Sequence, residues 1–430
     1  MPANPLLAKP PGTAPPPAQS DATQSRRGLG LILGATVIAG IAGYLVTWLV
    51  YRVAGSADYE QFAVFWSAFF LLVGGFAGVQ QEYSRATNAR QESSPSAPRA
   101  RAWVFALITA LIVMLIVFAI SPAWMPAVFV GPWALWAAPL ALGIAASIAM
   151  SATAGSLYGI ASWRVIALLI ACEGVPRLIV IGVALWLGWP VAALAWLVVM
   201  PIPAMLALFI VALVRRLRGK TQLDVTYRGL TWNVARTVLA SLATGVLVSG
   251  FPVILGATSA GENVSTLGDV IFAITLARAP LIVTVMALQS FLVVQFRNRR
   301  DGSTRLLLRI TGLLVIVTVA ASLLALVIGA PVLDAVAGRA VVNDAWLVPL
   351  LVASSGAVAL LQVTGAYLLG DSRHAGYSTG LVVAAVATVG LLLVPAEMIV
   401  RVELALMVAP VLGLITHLVF ALFLRRRSRV

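Results

Sequence analysis

Apolar runs of about 20 residues recur twelve times along this chain, and they restrict its fold more than any other feature. A helix of about 20 residues crosses the roughly 30 Å hydrocarbon core of a bilayer. We place the runs at Leu29–Val53, Phe62–Val79, Trp103–Ile120, Pro132–Ala154, Val165–Leu187, Pro190–Val214, Val234–Leu255, Val270–Phe296, Leu306–Gly329, Trp346–Leu369, Ser378–Val394 and Val402–Leu424. Inside a bilayer every backbone polar group must be satisfied within the protein, so the runs predict helices. The sequence therefore predicts an all-α, polytopic membrane protein with about twelve transmembrane helices.

The composition excludes a soluble protein and disfavours an enzyme. Hydrophobic residues make up 61% of the 430 positions and charged residues only 10%, whereas soluble domains carry about 25% charged residues. The single cysteine, Cys172, cannot form an intrachain disulfide, and two distant histidines, His374 and His417, are too few for a metal site or a histidine-based catalytic group. The nucleotide-binding pattern G-x-x-x-x-G-K-[ST] is absent, and no loop is long enough for a soluble catalytic domain. We therefore expect no cofactor, no metal, and transport rather than catalysis.

The distribution of basic residues predicts how the chain is oriented. There are 29 lysines and arginines, and the formal net charge is +14. With the N-terminus in the cytoplasm, about 24 of them fall on the cytoplasmic side and only Arg52, Arg339 and Arg401 on the other, which is the bias typical of membrane proteins. The sequence therefore predicts that both termini are cytoplasmic. The basic loops should contact anionic membrane lipids, and we expect no nucleic acid partner.

The chain divides into two six-helix bundles of similar organisation. We place a disordered cytoplasmic tail rich in Pro, Ala, Ser and Thr at 1–27, an N-terminal bundle at 28–214, a cytoplasmic linker at 215–233, a C-terminal bundle at 234–424 and a basic tail at 425–430. Each bundle opens with a helix, a short outer loop (Ala54–Glu60 or Ala257–Asn263) and a helix that ends in glutamine before a basic loop. Two such units indicate parallel repeats about an axis along the membrane normal.

Three charged residues lie at membrane depth, where charge usually faces a cavity or a partner. Glu173 and Arg177 occur in CEGVPR of the fifth helix, and Arg278 occurs in ITLARAPLIV of the eighth. The helical rise places both arginines near the bilayer midplane. One interpretation is a water-filled cavity whose guanidinium groups bind a phosphate-like anion through paired hydrogen bonds. The other is that Glu173 and Arg177, four residues apart, neutralise each other and that Arg278 extends to the outer surface.

Four more residues are candidates for a gate or for contacts with a substrate head group. Arg52 flanks the first outer loop, and Gln81, Glu82 and Arg85 lie in GVQQEYSR at a predicted cytoplasmic helix end. Solvation of a helix terminus explains their positions equally well.

Three segments resemble one family of transporters. YLVTWLVYRVAGSADYEQFAVFWSAFF resembles the signature of the first two helices in the polysaccharide-transport (O-antigen flippase-like) branch of the MOP (multidrug, oligosaccharidyl-lipid and polysaccharide) flippase superfamily. Gly55, Tyr59 and Phe62 match its G-x-x-x-Y-x-x-F pattern, while Glu60 stands where the family commonly has glycine. LARAPLIVTVMALQSFLV is similar to the R-x-P segment of the family's eighth helix, and LYGIASWRVIALLIACEGVPRLIVI is similar to its fourth and fifth helices.

The resemblance implies a fold, a substrate class and partners. It implies a V-shaped pair of bundles, MATE-like, that exposes a central cavity alternately to the two sides of a bacterial cytoplasmic membrane. The expected substrate is a polyprenyl-diphosphate-linked oligosaccharide, flipped to the outer leaflet, with a glycan polymerase or glycosyltransferases as partners. Arg177 and Arg278 would then compensate for the diphosphate charge, which is expensive to bring into hydrocarbon unpaired.

Three further functions are compatible with the sequence. A cation-coupled multidrug exporter of the same superfamily usually carries an acidic residue in its first helix, which is missing here, although Glu173 offers another carboxylate. A membrane glycosyltransferase would use Asp58 or Glu60 in the first outer loop, and at about seven residues that loop is too short to build a donor site. A non-transporting partner in cell-envelope assembly is the third interpretation.

Overall fold

The computed structural model describes residues 19–87, 100–217, 223–259, 263–298, 302–341, 344, 346–371 and 373–427. Within these ranges the chain is almost entirely α-helical, and we number its helices in chain order. They are α1 (Gln19–Ala54), α2 (Ser56–Ala86), α3 (Ala102–Trp124), α4 (Ala134–Gly159), α5 (Trp163–Trp186), α6 (Val191–Val199), α7 (Pro201–Leu217), α8 (Tyr227–Val248), α9 (Phe251–Thr258), α10 (Val264–Asn298), α11 (Ser303–Ala337), α12 (Leu347–Gly370), α13 (His374–Leu392) and α14 (Met398–Arg427).

Each of the twelve apolar runs corresponds to one helix or to one pair of consecutive helices. Ten spans of the described chain, with α6 and α7 counted as one, are long and apolar enough to cross a membrane. The pair α8 and α9 passes the same test if it is counted as one span with a bend of 71°, and it gives an eleventh span. Helix α10 contains the predicted run Val270–Phe296 and has 35 residues, which is about 52 Å at 1.5 Å per residue. The chain is therefore a multi-pass membrane protein, as its sequence predicts.

The first predicted outer loop is much shorter than expected. Only Gly55 separates α1 from α2, and its φ of 84° is a conformation that glycine adopts without strain. Asp58 and Glu60, expected in the loop, lie in the first turns of α2. Hydropathy could not reveal this boundary, because polar residues are compatible with a first helical turn as well as with a loop.

The segments that the sequence predicts to be cytoplasmic contain more helix than expected. Helix α1 begins at Gln19, inside the predicted tail 1–27, while residues 1–18 lie outside the described residues. The predicted linker 215–233 is helical up to Leu217 and again from Tyr227, where the hydroxyl of Thr226 caps α8. Helical turns that leave the bilayer carry polar residues, so hydropathy places the ends of such helices inside their true limits.

The N-terminal half (α1–α7) and the C-terminal half (α8–α14) meet along α2, which packs against both α8 and α10. A Cβ atom added at Gly78 would overlap the backbone of Thr237 and Val238 on α8. Because the two helices are so close, the hydroxyl of Thr237 donates a hydrogen bond to the carbonyl oxygen of Gly78 at 2.9 Å. Helices in a bilayer gain little by burying apolar side chains, so close packing and interhelical hydrogen bonds must hold the halves together.

We expect Gly78→Ala to destabilise the protein, because the new methyl group has no space against the α8 backbone. Overpacking of this kind costs about 1–3 kcal/mol, and the thermal midpoint of the purified protein in detergent, followed by tryptophan fluorescence, should fall. Gly74→Ala is the matched control, since Gly74 lies on the same helix and a Cβ there would meet nothing within 4 Å. Equal midpoints for the two variants would contradict this account of the α2–α8 contact.

Candidate functional site

A cavity of about 390 Å³ lies between the two halves, and it collects all three intramembrane charges. Its walls come from α1, α2, α5, the junction of α8 and α9, and α10. Glu173 and Arg177 face it from the N-terminal half and Arg278 from the C-terminal half. The structure thus brings together the three residues that the sequence singled out for their depth.

Arg278 is held in the cavity wall by the interruption between α8 and α9. Its side chain is only 5% exposed, and its Nη2 donates a hydrogen bond to the carbonyl oxygen of Leu247 at 3.1 Å. That carbonyl is accessible because α8 ends at Val248, so it has no partner in a next helical turn. The Nε of Arg278 has no hydrogen-bond partner, and no carboxylate in the described chain forms an ion pair with this guanidinium. Arg278 therefore does not extend to the outer surface, and donor capacity remains unused beside the cavity.

The interruption itself is stabilised by a residue that the sequence does not reveal. Gly250 and Pro252 end the helical hydrogen-bond pattern, since proline has no N–H group to donate. Ser67 of α2 accepts a hydrogen bond from the backbone N–H of Val253 at 3.0 Å and donates one to the carbonyl oxygen of Ser249 at 2.5 Å. One hydroxyl thus satisfies both sides of the break. The glycine and proline in VSGFPV are a usable signal for the break, whereas nothing in the sequence points to Ser67.

Arg177 is also bound to a carbonyl near the end of an interrupted helix, but unlike Arg278 it has an acidic partner. Its Nε donates to the carbonyl oxygen of Val198 at 2.8 Å, one residue before α6 ends. Its Nη2 forms an ion pair with Glu173 at 3.0 Å, and its guanidinium lies 5.2 Å from the centre of the Phe70 ring. Arg177 is 5% exposed and Glu173 26% exposed. The structure therefore shows that these residues form an ion pair and that both line the cavity, while anion binding by Arg177 stays a prediction.

The formal charge of the cavity wall is positive. The charged residues among those that line it are Glu173, Arg177 and Arg278, which leaves an excess of one positive charge. The remaining wall combines apolar surface with polar groups that can donate or accept hydrogen bonds, among them the side chains of Tyr44, Thr47, Tyr59, Ser67, Ser249 and Thr275. Such a wall attracts an anion that also carries hydroxyl groups.

At the end of the bundle where α1 ends and α10 begins, a group of polar residues joins the two halves. We call this group the latch; it consists of Trp48, Tyr51 and Arg52 of α1, Asp269 of α10 and Arg339. Trp48 and Arg52 donate hydrogen bonds to carbonyl oxygens at the end of α11, at 3.0 and 2.9 Å. The Tyr51 hydroxyl donates to Asp269 at 2.7 Å, and Arg339 forms an ion pair with the same carboxylate. The structure therefore places Arg52 in a contact between the halves.

The opposite end of α2 carries a second contact between the halves. Glu82 is buried and accepts hydrogen bonds from Arg85, its neighbour on α2, and from Asn233 of α8, the latter at 2.8 Å. Gln81, in contrast, is exposed. Of the three candidates at this end, Glu82 and Arg85 thus belong to an interhelical network, and only Gln81 matches a simple solvated terminus.

We expect Asp269→Asn to weaken the latch, because it removes the ion pair with Arg339 and the charged acceptor of Tyr51. For a partly exposed pair this costs about 1 kcal/mol, or about a fivefold shift in the opening equilibrium. In a Cys172→Ser background, Thr47→Cys in the cavity wall should react about fivefold faster with a membrane-impermeant maleimide. Asp58→Asn removes an exposed carboxylate near the same end and is the control. An unchanged labelling rate in the Asp269 variant would rule out the latch.

Comparison with known proteins identifies relatives and a fold. No protein-family model matches the chain. The uncharacterized protein Mb3654 of Mycobacterium bovis is 30% identical over 387 residues, which cover 90% of this chain and 90% of the relative. The lipid II flippase MurJ, in an inward closed conformation, matches with a TM-score of 0.68 at 11% identity, over 90% of this chain and 86% of MurJ. A multidrug resistance MATE family transporter of the MOP superfamily, in an inward-facing conformation, matches with a TM-score of 0.67 at 13% identity, over 95% of this chain and 99% of that one.

These matches confirm the resemblance to the MOP superfamily that the sequence indicated, while the polysaccharide-transport branch stays a prediction. The solved structures share the fold with this chain at low identity, and the mycobacterial relative shares most of its length at substantial identity. The chain therefore belongs to the same family as Mb3654, and it is a multi-pass membrane protein with the fold of the MOP superfamily of transporters.

Proposed function

We propose that this protein is a MOP-type flippase that moves a polyprenyl-diphosphate-linked oligosaccharide across the cytoplasmic membrane by alternating access. One observation carries the proposal: Arg177 and Arg278, one from each half, face a single cavity with an excess of positive charge. Among the described residues, Arg278 has no carboxylate partner and keeps an unused donor. MurJ, which shares the fold, is a lipid II flippase, and this supports the same class of substrate for this chain.

The chemistry of the cavity suits a diphosphate. A buried anion without partners costs several kcal/mol in an apolar medium, and a guanidinium compensates because it stays charged and donates paired hydrogen bonds to phosphate oxygens. The two arginines lie on different halves, so one diphosphate that binds both would be held between the parts that move. The lipid chain can remain in the bilayer, where it needs no polar partner.

The sugar part of the substrate would contact the polar and aromatic groups of the same wall. Tyr44, Tyr59, Trp66 and Phe70 offer ring faces, and hydroxyl groups surround them. At about 390 Å³, the cavity is at the small end of the 300–1,000 Å³ typical of ligand pockets. The transport cycle must therefore widen it, which an opening of either end of the α2 interface would do.

A cation-coupled multidrug exporter is the second candidate, and the charge of the cavity makes it weaker. MATE transporters share the fold, which is the observation in favour of this candidate. A cationic drug would have to bind beside two guanidinium groups, however. Glu173, the only carboxylate among the described residues of the wall, is already paired with Arg177. The same arrangement favours an anion.

The structure gives little support to the other two candidate functions, a membrane glycosyltransferase and a non-transporting assembly partner. A glycosyltransferase would need room for a donor sugar at the first outer loop, but this loop is Gly55 alone, and Glu60 is buried in α2.

The proposed flippase would still work beside a glycan polymerase or glycosyltransferases, which would supply or consume its lipid-linked glycan. In the proposed cycle, Arg52, Glu82 and Arg85 belong to contacts that break and form between the halves.

We expect Arg278→Ala to reduce flipping of a fluorescent polyprenyl-diphosphate sugar at least about tenfold in liposomes that contain the purified protein. A hydrogen bond to a charged group is worth about 1.5–3 kcal/mol, so its loss corresponds to about tenfold or more. Arg278→Lys keeps the charge but not the planar fork and should lie between Arg278→Ala and the wild type.

Arg297→Ala is the matched control, because Arg297 lies on the same helix and is exposed at its far end. Gel filtration and thermal midpoints establish that each variant is folded. Wild-type flipping by Arg278→Ala would remove this residue from the site, and a folded wild-type protein without flipping activity would refute the proposed substrate.

A further inference from the structure

His417 occupies a slot in the C-terminal half that is built to hold an imidazole ring. The side chain lies on α14, is 1% exposed and does not line the central cavity. The slot exists because α12 and α13 carry glycine beside the ring. A Cβ at Gly380 would overlap the ring, and a Cβ at Gly365 would lie 3.5 Å from its Cε1. An ionisable residue inside a membrane bundle is rare and usually has a function.

The hydrogen bonds of the ring define its neutral tautomer. Nε2 lies 3.2 Å from the carbonyl oxygen of Tyr377, and Nδ1 lies 2.8 Å from the hydroxyl oxygen of Thr364. A carbonyl oxygen can only accept, so Nε2 must carry a proton. In the neutral ring Nδ1 then accepts the hydroxyl proton of Thr364.

The same atoms also accommodate the protonated ring without leaving a polar group unpaired. The hydroxyl oxygen of Thr364 lies 3.0 Å from the carbonyl oxygens of Leu360 and Leu361. When Nδ1 carries a proton, it donates to this hydroxyl oxygen, and the hydroxyl proton turns to either carbonyl. A buried polar group left without a partner is strongly unfavourable, and rotation of one hydroxyl avoids this in both states. A histidine that served only for packing would need hydrogen-bond partners for only one protonation state of its ring.

We infer that His417 is a proton-binding site inside the C-terminal half, separate from the central cavity. Its ligand is a proton from the solvent: an N–H bond forms at Nδ1, an O–H bond of a hydronium ion breaks, and a water molecule is released. The inference holds whether or not the transported substrate is a glycan, because it depends only on the ring and its neighbours.

The helices around the slot contribute mostly neutral groups. Helix α12 contributes the hydroxyl of Thr364, and its one phenol, Tyr367, packs instead against the ring of Phe296 on α10. The described part of α14 has no other titratable residue between Glu403 and its C-terminal arginines. A charged imidazole would thus find neutral dipoles in direct contact from these two helices.

Helix α13 contributes one phenol and, just before its start, one compensated cation. The phenol is that of Tyr377, whose backbone carbonyl accepts from the ring. The guanidinium of Arg373 donates to the carbonyl oxygen of Ala421 at 3.4 Å, one turn beyond His417 on α14. Arg373 is in turn paired with Asp371 at 2.7 Å. This pairing limits the repulsion between the guanidinium and a protonated imidazole.

Tyr377 joins the slot to two helices that also line the central cavity. Its backbone carbonyl accepts from the ring, and its side chain packs against a cluster that contains Ala243 and Leu247 of α8 and against a second cluster that contains Val285 and Leu292 of α10. The carbonyl oxygen of Leu247 is the acceptor of Arg278. Packing around one side chain therefore connects the slot to two helices of the cavity wall.

Protonation of the ring acts on the helices that pack around it. A proton on His417 places a charge in the dry packing of α12, α13 and α14, where it is poorly solvated. The strain is relieved if these helices move apart or admit water. Because α8 and α10 carry the C-terminal part of the cavity wall, proton binding can bias the opening of the cavity.

Nitrogen-15 NMR of histidine-labelled protein in detergent tests the inference directly. The chain has two histidines, and His374 is exposed, so His374→Gln leaves His417 as the only imidazole. We expect an Nε2–H tautomer at high pH and a doubly protonated ring at low pH. A ring that stays neutral from about pH 4.5 to pH 8.5 would overturn the inference, as would an Nδ1–H tautomer.

Two variants of Thr364 separate proton binding from packing. Thr364→Val keeps the shape but removes the hydroxyl that partners Nδ1, so at a given low pH the doubly protonated signal should be lost or strongly reduced. Thr364→Ser keeps the hydroxyl and should retain the signal. Identical titrations for the two variants would show that the network has no part in proton binding.

The link to transport is tested with the reconstituted protein. If proton binding biases the cavity helices, flipping should change with pH in the wild type and in His374→Gln, and this dependence should be lost in His417→Gln. If all three proteins have the same pH profile while the NMR titration is normal, His417 binds a proton as inferred. The coupling of this proton to transport would then be overturned. Absence of flipping in every protein would count against the proposed substrate alone.

Discussion

The arrangement of the cavity depends on one constraint: a guanidinium group inside a bilayer needs acceptors, and most carbonyl oxygens of an intact helix already accept a hydrogen bond from the next turn. Here the acceptors are carbonyl oxygens at helix ends. Leu247 lies where α8 stops and Val198 where α6 stops, and each binds one arginine. Both carbonyls also carry the negative end of a helix dipole, which favours a cation. Interrupting two transmembrane helices thus allows Arg177 and Arg278 to stay at the centre of the protein.

The interruptions in turn determine how the halves are joined. The break between α8 and α9 exposes backbone groups on both sides, and Ser67 of α2 satisfies one on each side. The helix that satisfies the break is therefore the helix along which the two halves meet, and the packing of Gly78 against α8 lies on the same interface. The latch and the Glu82 network close the two ends of this interface. A movement that opens the cavity must exchange these polar contacts for others, because hydrocarbon provides none.

The sequence is sufficient for the fold and for part of the site. Hydropathy locates every helical span that the structure describes. Depth alone singles out the three charges of the cavity, because charge in hydrocarbon is too costly to be accidental. Sequence patterns fail for features that depend on a neighbour from another helix. Ser67 looks like any small polar residue until α9 lies beside it, and His417 has a role only because α12 and α13 carry glycines beside its ring. Helix ends are misplaced where polar turns continue a helix beyond the bilayer, as at Gln19 and Tyr227.

In the proposed cycle the two arginines have different roles, because only one of them is paired with an acid. Arg278 has an unused donor and no carboxylate partner, so an entering diphosphate can bind it without displacing another charged group. Binding to Arg177 must compete with Glu173, which would otherwise repel the anion. Glu173 also borders a second cavity of about 160 Å³, whose wall includes Gln80 and Tyr158. This cavity gives the displaced carboxylate polar partners. Binding of the anion to both arginines therefore requires a rearrangement inside the N-terminal half, whereas binding to Arg278 alone does not.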